Sequence, residues 1–244
     1  MYAFASYMYL SVKGFVYQDG RFELVKKAEA GLLDFANKQP EEQKPSSKIL
    51  ARNVALNLPH TIIAGAEDAP LTIFEFSSLG CSHCADFHLN GLPKLEKDFL
   101  SKNKVQVVFI HFPLERRSME AAMLAECINP QKRAEFLNLV FSKQREWVLS
   151  TTPETQLMNY AGAFGLTAQN AKACLKNDDL AKEIISNRQE AIDKLKIEGT
   201  PAFLISDTDK NEIIYGISNI NEFKAYLNTR LEEIEAKQQE PKEE

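Results

Sequence analysis

Cys81 and Cys84 stand three apart in the run Cys81-Ser82-His83-Cys84, just where a helical apolar pattern begins. That spacing puts both sulfurs on one side of a first helical turn, close enough to close a small disulfide ring. Cys81 then falls at the helix N-terminus, where unpaired backbone N–H groups and the positive end of the helix dipole favour an anion. His83, between the two, can add positive charge or a hydrogen bond. A thiolate held in this way stabilises the reduced pair, and each 30 mV of added oxidising power corresponds to about 1.4 kcal/mol for a two-electron couple. The same motif is also half of a zinc site, to be completed by Cys127, Cys174 or a histidine, and a purely structural bridge is a third reading. Cys127 and Cys174 each stand alone, without a second close pair, so thiol–disulfide redox chemistry is the expected use and no metal is assigned.

Two other positions agree with that chemistry. Glu75 interrupts an otherwise apolar strand six residues before Cys81, where its carboxyl can lie beneath the sulfurs. Burial there raises a carboxyl pKa and lets it relay the proton of the resolving thiol. Gly199-Thr200-Pro201 opens a later strand, a place where a cis proline makes a tight bend. His88, at i+4 from Cys84, is expected to face solvent or the neighbouring helices rather than a metal. His111 reads as a near-core histidine, His60 as a linker residue and Trp147 as core.

The elements that must position these residues follow from apolar periodicity. Leu71–Phe76 and Val105–Phe112 read as strands covered on both faces, and the helix between them, from about Ser82 to Lys102, carries Pro93, which should disturb its hydrogen bonding. Strand, helix, strand implies a right-handed parallel crossover. Five helices are expected between Glu115 and Leu195: Arg117–Cys127, Arg133–Trp147, Pro153–Phe164, Ala168–Lys176 and Asp179–Lys196. Ala202–Ile205 and Glu212–Tyr215 form a hairpin around Asp207–Asn211, followed by a helix from about Asn221 to Glu235.

Upstream, Phe22, Val25, Ala28, Leu32, Leu33 and Ala36 predict an amphipathic helix over Arg21–Asn37, and Ser46 or Ser47 can cap a second one reaching about Asn57. Such an arm packs on the main domain or pairs two copies of the chain. Met1–Val12 is apolar but lacks the basic start and the cleavage site of a good export signal.

The composition fits a packed protein. The 244 residues allow one large domain at roughly 150 residues per domain, with attachments. Apolar residues are 44% and charged residues 26%, which excludes a disordered chain and a multi-span membrane protein. Acidic residues (34) exceed basic ones (29), so nucleic acid is dropped as a partner.

In Ala69-Pro-Leu-Thr-Ile-Phe-Glu-Phe76, Cys81-Ser-His-Cys84, His111-Phe-Pro-Leu114 and Gly199-Thr-Pro-Ala-Phe203 the chain resembles the DsbA-like thiol:disulfide oxidoreductases, over about Ile62 to Leu231. The resemblance implies an α/β thioredoxin-like fold with an inserted helical domain, here with an N-terminal helical extension. The expected divisions are 1–60 for the extension, 61–114 for the first half of the fold, 115–190 for the insertion, 191–235 for the second half and 236–244 for a charged tail. It implies that Cys81 is the nucleophile, Cys84 the resolving thiol, Glu75 the buried acid and Pro201 the cis proline packed against the pair, with Thr200 and Pro201 offering backbone to an extended substrate.

The resemblance further implies a Cys127–Cys174 bridge, cysteine-containing protein substrates, a redox partner that resets the pair, no cofactor, and the bacterial periplasm or cell envelope. Ser82 stands where the type member has proline, and Thr200 where strongly oxidising members often carry valine. Both departures leave disulfide isomerisation or reduction beside disulfide formation, and a zinc-binding or chaperone module remains the reading from another class.

Overall fold

The computed structural model describes residues 15–18, 21–24, 47–50 and 61–239. The chain divides into two compact units, 1–44 and 45–244. In the first, β1 (Phe15–Gln18) pairs antiparallel with β2 (Arg21–Leu24), Gln18 opposite Arg21. This corrects the helix expected from Arg21. The two residues between the strands are Asp19 and Gly20, a dipeptide that suits a two-residue hairpin, and this local turn chemistry outweighs the helical spacing at Phe22 and Val25.

A second correction falls at Ser47, where a strand, β3 (Ser47–Leu50), replaces the start of the second expected helix. It adds to a sheet edge, so backbone pairing in tertiary context overrides the capping signal of the two serines. The main unit therefore begins before residue 60. The export segment 1–12, the remainder of both expected helices, His60 and the last five residues lie outside the described residues.

The main unit is built on a six-stranded sheet, order β3-β8-β7-β5-β6-β4, with β4 Thr61–Ala64, β5 Leu71–Ser77, β6 Val105–His111, β7 Ala202–Ser206 and β8 Asn211–Tyr215. Only β5 and β6 run parallel, joined by the expected helical crossover. The crossover is α1 (Ser82–Asp86), a π-helical turn (Phe87–Gly91), α2 (Leu92–Leu95) and a second π-helical turn (Glu96–Leu100). Pro93 supplies no N–H to the ladder, and the helix absorbs this by widening just before it, with the Leu92 amide donating to the Phe87 carbonyl five residues back.

Between β6 and β7 run α3 (Arg116–Cys127), α4 (Pro130–Ser142), α5 (Gln144–Val148), α6 (Pro153–Ala163), α7 (Ala168–Leu175) and α8 (Asp178–Leu195). The helix expected over Arg133–Trp147 is two, divided at Lys143. Trp147 is fully buried and donates its indole N–H to the Val140 carbonyl at 2.9 Å. The final helix, α9 (Ile220–Gln239), outlasts the sequence expectation, and Lys237 on its last turn pairs with Asp209 at 2.9 Å.

The alternation of β5 sorts the core onto two faces. Leu71 and Ile73 pack with the crossover and α9 through Phe87, Leu95, Phe99, Phe223 and Leu227, whereas Phe76 packs with α8 through Ala191 and Leu195. Glu75 belongs to the first face, between Phe109 of β6 and Phe203 of β7 in register. The sheet thus drives a carboxyl into an aromatic layer.

Cys127 and Cys174 are bridged, joining α3 to α7 across a separation of 47 residues. In the loop-closure account this constraint on the unfolded chain contributes up to about 4 kcal/mol. Replacing both cysteines by alanine is expected to lower the unfolding free energy by up to that figure and to steepen its dependence on denaturant, because the unbridged chain unfolds to a more open state; an unchanged unfolding free energy would defeat the stabilising role.

Candidate functional site

β5 ends at Ser77 and the chain turns through Ser78-Leu79-Gly80, with the Cys81 amide donating to the Ser78 carbonyl at 3.0 Å. Cys81 is the N-cap of α1, with φ −82° and ψ 123°. It is a side chain able to accept, at a helix end whose first amides lack partners. Its sulfur accepts from the Cys84 amide at 3.4 Å. Cys84 is wholly buried one turn along, Cys81 half-buried, and both thiols are free.

The two sulfurs are driven apart in acidity. The Cys81 thiol is pulled down from 9.0 to about 6, foremost by a hydrogen bond from the Cys84 thiol, against the opposing effect of burial, with further help from Thr200 and the backbone amides of Cys84 and His83. The Cys84 thiol is pushed far up, foremost by burial and then by its donation to Cys81. Glu75, fully buried, is raised from 4.5 to about 8, first by burial and further by the Cys81 charge. The Ser77 hydroxyl draws both Glu75 and Cys84 partly back. Even so, neither Glu75 oxygen nor the Ser77 hydroxyl closes a hydrogen bond of good geometry.

The Thr200–Pro201 peptide bond is cis and brings Thr200 to the same sulfur. The Cys81 thiol donates to the Thr200 carbonyl at 3.5 Å, while the buried Thr200 hydroxyl, otherwise without a partner, can turn to serve the thiolate. Strand β7 begins one residue later, Ala202 opposite Phe76 of β5, so the sheet register itself sets the loop beside the turn that carries Cys81.

The sequence-predicted residues Cys81, Cys84, Glu75, Thr200 and Pro201 are thus gathered at one end of the sheet. His83 is also at the site: its imidazole is exposed, and its backbone amide is among the groups that favour the thiolate. His88 is buried against the rings of Phe141 and Phe109, its pKa pushed down to about 4 by burial. His111 faces Glu126 at 3.2 Å, and Glu126 also holds Arg133 at 2.8 Å. Among the described residues no three His, Cys, Asp or Glu side chains are grouped as metal ligands, and the bridge withdraws Cys127 and Cys174 from any zinc set with Cys81 and Cys84.

Three contacts were not visible in the sequence. Gln144 of α5 donates its side-chain amide to the carbonyls of Leu79 and Cys81, at 2.8 and 2.9 Å. The Ser78 hydroxyl donates to that of Ser118 at 3.0 Å, and Glu115 caps α3 through the Arg117 and Ser118 amides. A Cβ on Gly80 would come within 2.6 Å of both Ser118 Oγ and Glu115 Oε1. Glu115, at the boundary between strand and insertion, had the one readable signal, a carboxylate two and three residues before helical amides.

A sulfur ionised near neutral pH, with a buried partner thiol one turn away, is suited to exchanging disulfides, and on this sheet with this helical insertion it defines a thiol–disulfide oxidoreductase of the DsbA type. The chain belongs to the thioredoxin family, whose model matches residues 57–228. It is similar to a protein-disulfide oxidoreductase of Rickettsia bellii, 24% identical over 80% of this chain and 74% of that one. It is also similar to disulfide bond formation protein D of Bacillus subtilis, 27% identical over 69% of this chain and 76% of that one. Among solved structures, Wolbachia pipientis alpha-DsbA1 superposes with a TM-score of 0.67 at 27% identity, covering 75% of this chain and 98% of that chain.

Proposed function

We propose that the chain forms disulfides in cysteine-containing proteins, with Cys81 as the exchanging sulfur. The observation that carries this reading is the placement of the pair, Cys81 half-buried at the N-cap of α1 with its sulfur accepting the Cys84 amide at 3.4 Å and Cys84 wholly buried one turn along, which drives the two acidities apart. In the bridged pair, a substrate thiolate attacks Cys81 Sγ, forming the mixed disulfide and expelling Cys84 as a thiolate. Buried Cys84 does not hold that charge, and Glu75, protonated up to about pH 8, is the proton source beneath it. A second substrate thiolate then attacks the substrate sulfur of the mixed disulfide and expels Cys81, a good leaving group because its thiolate is stable. The substrate leaves oxidised by two electrons and the Cys81/Cys84 pair stays reduced.

Thr200 and Pro201 offer the backbone beside the sulfur to an extended substrate segment. A redox partner then withdraws the two electrons, and the Cys127–Cys174 bridge favours an oxidising compartment such as the bacterial cell envelope. Disulfide isomerisation is the second reading, favoured by the Thr200 hydroxyl next to the sulfur, since a further donor to the thiolate also suits a pair kept reduced.

Ultraviolet titration of the Cys81 thiolate tests the reading: half-ionisation is expected near pH 6, and an ordinary thiol midpoint would overturn it. Equilibration with glutathione, paired with refolding of a scrambled substrate, sets the direction. A potential near about −120 mV without reshuffling marks an oxidase, and one near about −270 mV marks a reductase. Efficient reshuffling marks an isomerase.

A further inference from the structure

Gln144 stands 63 residues from Cys81 along the chain, on the first turn of α5, and its carboxamide is buried. A buried side-chain amide is costly to leave unpaired, and most satisfy themselves on nearby backbone. This one reaches out of its own helix and spends both N–H groups on the turn that carries the reactive sulfur, on the carbonyls of Leu79 and Cys81.

The Cys81 carbonyl already accepts the Ala85 amide at 3.1 Å, the bond that opens α1, so Gln144 is its second donor. The sulfur of the same residue accepts the Cys84 amide. The orientation of the Cys81–Ser82 peptide plane, held at its oxygen by Gln144 and Ala85, therefore also sets how the amides of the first turn meet the sulfur. On the adjoining side Gly80 packs closely against the Glu115 carboxylate and the Ser118 hydroxyl, a Cβ there coming within 2.6 Å of both.

We propose that Gln144 is a positioning residue through which the helical insertion holds the Cys81 turn in the geometry that stabilises the thiolate. This rests on the reading of Cys81 as the exchanging sulfur. The insertion is then part of the redox machinery through one side chain that touches neither sulfur. It also gives the protein a point in α5 at which a substitution alters the reactivity of Cys81 without touching the Cys81-Ser-His-Cys84 run.

The experiment compares native protein, Gln144→Leu and Gln144→Glu by ultraviolet titration of Cys81, equilibration with glutathione and melting temperature. The leucine keeps the bulk and removes both donors. Its Cys81 midpoint is expected to rise by about half a unit, which moves the equilibrium about threefold toward the disulfide. The glutamate, when ionised, sets negative charge against two carbonyl oxygens and should shift both quantities further in the same direction. If both variants melt lower yet titrate and equilibrate as the native protein does, Gln144 serves packing alone and the proposal is overturned. Should the leucine variant not fold, the glutamate variant decides by the same readings. A native Cys81 that ionises like a free thiol overturns the functional reading and this proposal together, whereas a depressed native midpoint unmoved in the variants overturns only this one.

Discussion

Cys84→Ala is expected to leave a protein that still attacks disulfides through Cys81 but cannot complete a cycle, whereas Cys81→Ser should drop exchange to the uncatalysed background. The asymmetry follows from the two environments. Cys81 is accessible to a partner sulfur, whereas Cys84 is wholly buried and can reach a mixed disulfide only from inside. Serine at 81 retains a side chain able to cap α1, so its loss of activity should come with an intact fold. Alanine at 84 also removes the largest stabiliser of the Cys81 thiolate, the hydrogen bond from the Cys84 thiol. The Cys81 midpoint should then climb from about 6 by about one to two units, leaving the backbone amides and Thr200 to hold the charge. Mass analysis after mixing with a disulfide-bearing peptide should show the Cys84→Ala protein accumulating as a covalent adduct and the Cys81→Ser protein free. Adduct formation on Cys81→Ser, or full turnover by Cys84→Ala, would defeat the division of roles.

Why so much of this site was legible in the sequence, and why some was not, follows from the range of the interactions. The Cys81-Ser-His-Cys84 spacing, the acid at 75 in an apolar strand and the Thr200-Pro201 loop are local signals. Once β5 and β7 pair in register, these segments have nowhere to lie but together. The helices of the insertion were legible to within a few residues because their apolar periodicity is long. The misreadings at Arg21 and Ser47 arose where helical spacing was weak and a turn dipeptide or an available sheet edge decided instead. β4 was missed for the same reason, being a four-residue strand whose identity depends on the partner it meets, β6. Gln144 left no signal at all, since a glutamine at a helix start has no pattern that distinguishes a solvated amide from one aimed at a carbonyl 63 residues away. His83 shows a related limit: its residue type drew attention to the imidazole, and no sequence signal pointed to its backbone amide, which also favours the thiolate.

Glu75→Gln is expected to change the pH dependence of stability between about pH 4.5 and 8 while preserving shape. In the reduced protein the carboxyl is raised from 4.5 to about 8, foremost by burial among Phe109, Phe203 and the crossover helix. Below about pH 4.5 it is protonated in both native and unfolded chains and contributes no slope. Between 4.5 and about 8 the unfolded chain releases this proton while the native chain keeps it, so the unfolded state binds fewer protons and stability falls as pH rises. Above about 8 the slope ends, with the native protein less stable by on the order of 3–5 kcal/mol than a neutral side chain would leave it. Glutamine removes that penalty, so the variant should match the native protein near pH 4 and exceed it by a few kcal/mol near pH 8, as read from denaturant midpoints across the range. The gain in stability carries a kinetic loss, because an amide cannot deliver the proton that Cys84 needs when it is expelled, and exchange should slow by about a hundredfold. Parallel stability curves for the two proteins would mean that Glu75 is charged at neutral pH, and a Glu75→Gln protein that turns over at the native rate would remove the carboxyl from the exchange cycle.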